Sequence, residues 1–421
     1  MSTIPQPRTL VREQPVEPHA GGDRWTLNFG PQHPATHTTL RLVLELDGET
    51  VVACTPHIGY LHSGFEKLGE HLDYNQYITV CERMNYVSPI ANTICWHHAA
   101  EKLFGIELTP RCKAIRTICA ELARLQDHLL SVGAAALDLG GFTAFLYGFN
   151  ERETIYDLLE EISGSRFHNS YTRVGGLFHD IPPEWPGHVK QFIQGPLPKA
   201  IDDVEALLNK NRIFIERTKG IGYLNAADAI NWGWTGPLAR ASGVKRDLRK
   251  DEPYLCYADN WDGQGAPAVS FKVPITYGGD VLARYLIRLE EMRQSIRIIE
   301  QLVDRIPGGP VDVLPNGRMT LPDKKEVFFS IEGLIQHFEM VMTNRGWEPP
   351  IGEVYGANET ANGELGYFIV SDGDRFPYRA RTRPPSFINY QCFEKLTVGH
   401  QISDVVAILG SLNIIAAELD R

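Results

Sequence analysis

The stretch "TPRCKAIRTICAELARLQDHLLSVGAAALDLGG", Thr109 to Gly141, constrains the fold more than any other part of the chain. Its apolar residues Ile115, Ile118, Leu122, Leu125 and Leu129 recur at three- and four-residue steps, which aligns them on one face of an α-helix. Thr109 suits the N-cap. Pro110 suits the first helical position, where no N–H is required, and Gly140-Gly141 suits a stop. A helix this long needs partners to bury its stripe. Residues 66–81, 84–104, 151–163, 198–219, 280–305 and 324–342 also read as helical, and long periodic stretches packed antiparallel imply a helical bundle.

Strand patterns sit at the two ends. "RWTLNFG" predicts one short strand, and "TLRLVLELDGETVVACTPH" alternates Leu40, Leu42, Leu44 and Leu46 against polar residues, with Asp47-Gly48 as a hairpin turn. "GPQHPATH" then becomes the loop between the first strands. "GELGYFIVSDGDRFPYRARTRPPSF" returns to strand-like text with a turn at Asp372-Gly373, and "GHQISDVVAILGSLNIIAAELDR" closes on a helix. Gly- and Pro-rich segments at 220–237, 259–279 and 307–322 read as loops. The expected fold class is α+β, mainly α: a helical bundle with a small N-terminal antiparallel sheet. The expected organisation is a flexible arm over residues 1–23, a small sheet over 24–58, the bundle over 59–345, and C-terminal strands and helix over 346–421.

Composition narrows the function classes. With 43% hydrophobic and 22% charged residues over 421 positions, wholesale disorder is excluded. A net charge of −11 argues against nucleic acid as a partner. The seven cysteines include no C-x-x-C pair, so no local iron–sulfur or zinc motif is present, and buried reduced thiols are expected. No export-signal core and no apolar run of about 18 residues is found. Work at a membrane would therefore be done from its side.

The loop carries two histidines, His33 and His37, four residues apart. A zinc protease needs H-E-x-x-H on a helix, whereas here Pro34 follows the first histidine and no glutamate lies between them. No phosphate-binding or dinucleotide-binding glycine motif and no nucleophile elbow occurs either. A Cys–His pair stays open, with nothing to single out one cysteine. On these residues alone, His33 and His37 read as turn residues capping backbone groups.

Taken together, "GPQHPATHTTLRL", "PHIGYLHSGFEKLGE", "ERMNYVSPI" and the two C-terminal segments resemble, colinearly from Trp25 to Arg421, the D-subunit family of the bacterial NADH:quinone oxidoreductase, respiratory complex I. That family is related to the large subunit of nickel–iron hydrogenases, so the resemblance implies a hydrogenase large-subunit-like fold. Hydrogenases hold their metals with two C-x-x-C pairs. Here Asn85 and Ser88 stand at the first pair and the chain ends at "ELDR" without the second, and neither a carboxamide nor a hydroxyl replaces a bridging thiolate. No metal is expected on this chain.

What the resemblance implies is a quinone headgroup pocket in the vacated crevice. His37 and Tyr86 would contact the two headgroup oxygens, Asp138 would bond to His37, and His168 would lie near the terminal iron–sulfur cluster held by the neighbouring B subunit. His33 is assigned to shaping the loop. Reduction of quinone to quinol takes two electrons and two protons, so donors at the carbonyl oxygens are the chemistry required. The taken-alone reading of each residue is structural: Tyr86 as core, Asp138 as a helix-end polar residue, His168 on a backbone carbonyl. One position departs from the family. An arginine found in members after the "LH" of "HIGYLH" is Ser63 here.

The implied partners are the B, C and I subunits of complex I, its membrane-embedded H subunit, and quinone, with NADH, FMN and iron–sulfur clusters held by other subunits. The implied location is the cytoplasmic face of the cell membrane, peripherally attached. Two other readings stay open: a metal-free hydrogenase-like component of a related membrane complex using another electron donor, and a connector of the hydrophilic arm with no site of its own.

Overall fold

The computed structural model describes residues 24–37, 39–258, 268–313, 322–342 and 349–421. The expected arm over 1–23 lies outside the described residues, as do parts of the expected loops, 259–267 and 314–321.

The N-terminal sheet is antiparallel, in the order β1 (Arg24–Phe29), β2 (Arg41–Asp47), β3 (Thr50–His57). Leu44 pairs with Leu27 on one side and Cys54 on the other. The alternating leucines face inward as the two-residue period requires: Leu40, Leu42, Leu44 and Leu46 are buried against Trp234, Phe393, Ile408 and Leu412.

The bundle is built on α1 (Pro89–Phe104), α2 (Pro110–Asp138), α3 (Phe142–Ser163) and α4 (Val281–Val303). Thr109 accepts the Cys112 N–H at 3.2 Å and Pro110 follows it. At 29 residues, α2 is roughly 43 Å long. It packs against α1, α3, α4 and the C-terminal helix α5 (Ile402–Leu412). The predicted stripe Ile115, Ile118, Leu122, Leu125 and Leu129 is buried in the main core. The polar residues Arg116, Glu121, Arg124, Asp127 and His128 are buried as well. So between Ala114 and Leu129 α2 is enclosed on all sides, which the one-faced pattern did not foretell.

Several expected helices are shorter or divided, each for a local reason. The stretch 66–81 is helical only at Phe65–Leu68 and Ile78–Cys81. Between them Asp73 accepts the N–H groups of Asn75 and Gln76, the side-chain turn that competes with helix. The helix expected from 84 begins at Pro89, because a residue before proline is pushed out of helical conformation. The expected 198–219 helix divides into Pro196–Leu208 and Arg212–Glu216, the second capped by Asn211. The 324–342 stretch breaks at Ser330, whose hydroxyl accepts the Gly333 N–H at 3.1 Å. Two short helices interrupt the expected loop 220–237, Ala226–Asn231 inside it and Gly236–Ala241 across its end.

The C-terminal sheet is antiparallel, β4 (Gly352–Thr360), β5 (Gly363–Ser371), β6 (Arg379–Arg383). The closing segment is not one helix. It stops at Asn413, whose φ of 53° is left-handed, and resumes as α6 (Ala416–Asp420). That interruption lets the chain line a cavity.

Candidate active site

The histidine loop is a one-turn 3-10 helix, Pro34–Thr36, hung between β1 and β2. His33 caps it: its Nδ1 accepts the Ala35 N–H at 3.2 Å, and its carbonyl accepts the Thr36 hydroxyl at 2.8 Å. His33 is thus a turn-shaping residue, as expected. At the loop's root Gly30, φ +89°, runs directly against the Leu40 carbonyl, where no Cβ fits.

His37 closes the turn. Its N–H donates to the Pro34 carbonyl at 3.2 Å and its φ of 57° is left-handed. That conformation turns the imidazole toward the last residue of α2, and Nε2 meets the Asp138 carboxylate in a hydrogen-bonded pair. The pair is partly accessible, His37 26% and Asp138 11% exposed at the side chain, so solvent or a ligand reaches the imidazole edge. Gly410 of α5 makes room for it: a Cβ there would stand 3.2 Å from Asp138 Oδ2 and 3.7 Å from His37 Nε2.

Beyond the pair lies a cavity of about 180 Å³ lined by His37, Tyr86, Val87, Ser131, Phe149 and Ile414, among others. Ligand pockets for drug-sized molecules run about 300–1,000 Å³, so this space suits a single substituted ring. Its lining is mostly apolar, with polar atoms from a few side chains. Tyr86 is half-buried, and burial pushes its phenol above the ordinary value. The Ala416 backbone N–H directed at its oxygen works in the opposite sense. A hydroxyl so held is a proton-bearing donor near neutral pH.

Tyr86 also lines a second, more open hollow of about 750 Å³ with Ser63, Phe65, Arg83, Phe167 and His168. His168 is therefore on the outer side of Tyr86, away from the His37–Asp138 pair. Burial and then the nearby Arg83 hold its imidazole below the ordinary value. Its Nδ1 is buried without a partner among the described residues. Ser63 Oγ donates to the Leu61 carbonyl at 3.3 Å.

Asn85 and Ser88, expected at the first hydrogenase-type cysteine pair, have structural partners. Asn85 Oδ1 accepts the Val87 and Ser88 N–H groups at 3.2 and 3.3 Å, and Ser88 Oγ donates to Asp127 Oδ2 at 3.0 Å. Among the described residues, no group of three or more His, Cys, Asp or Glu is arranged to hold a metal ion. All seven cysteines are buried and unbridged.

Sequence reasoning named Asp138 but missed the rest of the cavity wall formed by α2. Asp127, Leu130, Ser131, Ala134 and Asp138 share one helix face by their spacing. Leu130, Ser131 and Ala134 line the cavity, and Asp127 and Asp138 grip the segments on either side of it. The available signal was a stripe of carboxylates and small residues on a helix whose other face is leucine-rich.

Comparison with known proteins fits this arrangement. The family described as respiratory-chain NADH dehydrogenase, 49 Kd subunit, matches residues 138–421. The D subunit of NADH-quinone oxidoreductase from Methylacidiphilum infernorum is 47% identical over 412 residues, covering 98% of this chain and 96% of that protein. The D subunit from Geobacter sulfurreducens is 47% identical over 396 residues, covering 94% and 98%. The C/D subunit from Bdellovibrio bacteriovorus is 46% identical over 395 residues, covering 94% of this chain and 68% of that longer one. The chain belongs to the D-subunit family of NADH-quinone oxidoreductase, the respiratory-chain 49 Kd subunit, and is a component of that enzyme.

Proposed function

We propose that the 180 Å³ cavity receives the quinone headgroup, with His37 and Tyr86 as the donors to its two carbonyl oxygens and Asp138 orienting His37. The observation that carries this reading is the convergence of the paired imidazole and the half-buried phenol on one ring-sized apolar cavity. Electrons would arrive from the terminal iron–sulfur cluster of the B subunit, docked over the outer hollow where His168 sits. Each electron added to the quinone puts negative charge on a carbonyl oxygen. A donor already aimed at that oxygen stabilises the charge without reorganising, and two protons complete the quinol. Asp138 fixes the imidazole's direction, and the half-buried Tyr86 keeps its proton until the oxygen beside it becomes basic.

We read residues 24–421 as one hydrogenase large-subunit-like unit, its sheet at 24–58, bundle at 59–345 and closing strands and helix at 346–421, with the cavity in the crevice where a hydrogenase would hold metal. The hydrogen-bonding of Asn85 and Ser88 to neighbouring groups supports this. The C subunit is the best-supported neighbour, since a relative carries the name C/D on one chain. The B and I subunits and the membrane-embedded H subunit complete the set, with the chain peripheral on the cytoplasmic face. Among the described residues no helix is long and apolar enough to cross a membrane.

The test uses the whole complex in membranes. His37→Ala is expected to lower NADH:quinone turnover by about 100-fold and Tyr86→Phe by about tenfold, while NADH:ferricyanide activity stays near wild type. Parallel loss of both activities would indicate failed assembly. Full quinone turnover in both variants, or a photoreactive quinone analogue labelling another chain, would refute the reading.

A further inference from the structure

The cavity's two polar walls, the turn bearing Tyr86 and the C-terminal segment, are separate in sequence and meet at one buried carboxylate. Asp127 of α2 is fully buried and does not line the cavity. Its Oδ2 accepts the Ser88 hydroxyl at 3.0 Å and its Oδ1 accepts Asn413 Nδ2 at 2.6 Å. The neighbouring Gln126 donates through Nε2 to the Val87 carbonyl. Ser88 lies two residues after Tyr86, and Asn413 three residues before Ala416, whose N–H faces the Tyr86 oxygen. Asn413 Nδ2 also donates to Asn362 Oδ1 at 2.6 Å, tying in the β4–β5 turn.

From this geometry we infer that Asp127 is a positioning residue for Tyr86, fixing the phenol from both sides by holding Ser88 and Asn413 together. The inference rests on the quinone-cavity reading. Charge-assisted hydrogen bonds are the stronger kind and tolerate less wander. An aspartate here takes both donors at once, where an asparagine offers one acceptor atom and turns an N–H₂ group toward the second donor. The left-handed stop at Asn413 is what brings its amide to the carboxylate. Asp127 thus acts on the reaction without touching the ring.

In the whole complex, Asp127→Asn is expected to lower quinone kcat about tenfold with KM moving less than about threefold. The cavity lining is kept and only the placement of the donor is loosened. NADH:ferricyanide activity should not change. A merely structural role would reduce the amount of complex and both activities together.

The exchange Asp127→Asn/Asn413→Asp supplies the rescue. The amide moved onto α2 would then donate to the carboxylate moved into the C-terminal break, while its oxygen still accepts from Ser88. Asn362 Nδ2, buried and without an acceptor among the described residues, can rotate to serve that relocated carboxylate. Because Asn413 itself lines the cavity, quinone kcat in the exchanged variant is expected to rise above that of Asp127→Asn without reaching wild type. Should Asp127→Asn fail to assemble, Ser88→Ala removes one arm of the clamp and is expected to show the same kcat loss in smaller degree.

Wild-type quinone kcat in Asp127→Asn, or in Ser88→Ala where the former does not assemble, overturns the inference. An exchanged variant no better than Asp127→Asn does so too. If His37→Ala and Tyr86→Phe are also silent, the cavity reading itself has failed. If they are impaired and Asp127→Asn is not, only the role of Asp127 is lost.

Discussion

Between Arg116 and Arg124 helix α2 buries its charges against opposite charges, whereas between Asp127 and Asp138 it uses two carboxylates to grip loops beside an open space. In the first half, Arg116 forms a two-pronged pair with Glu101, at 2.8 and 3.0 Å. Glu121 is shared by Arg124, at 3.2 Å, and Arg249, at 3.1 Å. The network continues through Asp247 to Arg240, which meets Glu291 at 2.7 Å and Glu359 at 2.8 Å. Three arginines (124, 240, 249) face four carboxyls (121, 247, 291, 359). Burial, reinforced by the charge of Asp247, pushes Glu359 up, while the arginines outweigh burial and hold Asp247 and Glu291 down. His128, held below its ordinary value by burial, meets Glu291 at 2.8 Å as a neutral hydrogen-bond partner.

A buried ion network of this kind fixes the scaffold and is costly to break, because removing one member strands the rest in a medium that solvates charge poorly. Arg240→Ala carries the largest effect expected in the molecule, about 3–5 kcal/mol of destabilisation. Complex extracted from membranes should be scarce on a native gel, with quinone and ferricyanide activities falling in proportion. A fully assembled Arg240→Ala complex would erase the distinction between the two halves of α2.

The second half is sharpened by Asp138→Asn, which keeps the size and removes the charge beside His37. A neutral amide accepts more weakly and can present N–H₂ to the ring, so the imidazole loses its fixed direction. Quinone turnover is expected to drop about tenfold with assembly intact, read as quinone activity relative to ferricyanide activity. Unchanged turnover where chemistry limits would remove Asp138 from the mechanism. Gly410→Ala tests the same pair by crowding. Its methyl would lie 3.2 Å from Asp138 Oδ2, tight enough to displace the carboxylate slightly. A loss of about two- to fivefold in quinone turnover is expected, and none if α5 yields instead.

These two halves were unequally legible in the sequence. The leucine stripe of α2, its Thr109-Pro110 start and the inward alternation of Leu40 to Leu46 are local patterns, and local patterns survive into the fold. The His37–Asp138 contact joins positions 101 residues apart. Nothing in composition or spacing pairs them, so it came only through resemblance. Divided helices were missed where a side chain outcompeted the backbone, as at Asp73, Asn211 and Ser330. The break at Asn413 has a tertiary cause: its amide is held by Asp127 and Asn362. The ion network was invisible for a similar reason, since Arg249 and Glu291 lie more than 100 residues in sequence from the α2 residues they meet.

The smallest expected effect lies where the two halves meet. Glu418 of α6 is fully buried, its carboxyl bonded to Ser386, and burial pushes its pKa up to about 8. Asp127 faces it with like charge and Arg383 with opposite charge. An acid whose pKa is raised on folding binds its proton more tightly in the folded chain. Its contribution to stability is therefore fully present below the ordinary carboxyl value of 4.5, declines as pH rises toward about 8, and is level above. Once ionised, Glu418 would repel Asp127 and shift α6, which carries the Ala416 N–H facing Tyr86. Quinone turnover should accordingly fall on the alkaline side near pH 8, and Glu418→Gln should move that fall upward. The variant would exceed wild type by about two- to threefold at about pH 8.5 while matching it within error near about pH 6.5. The measurement is kcat across about pH 6 to about 9.5, normalised to ferricyanide activity. An identical alkaline limb in Glu418→Gln would mean that this carboxyl does not govern the alkaline fall.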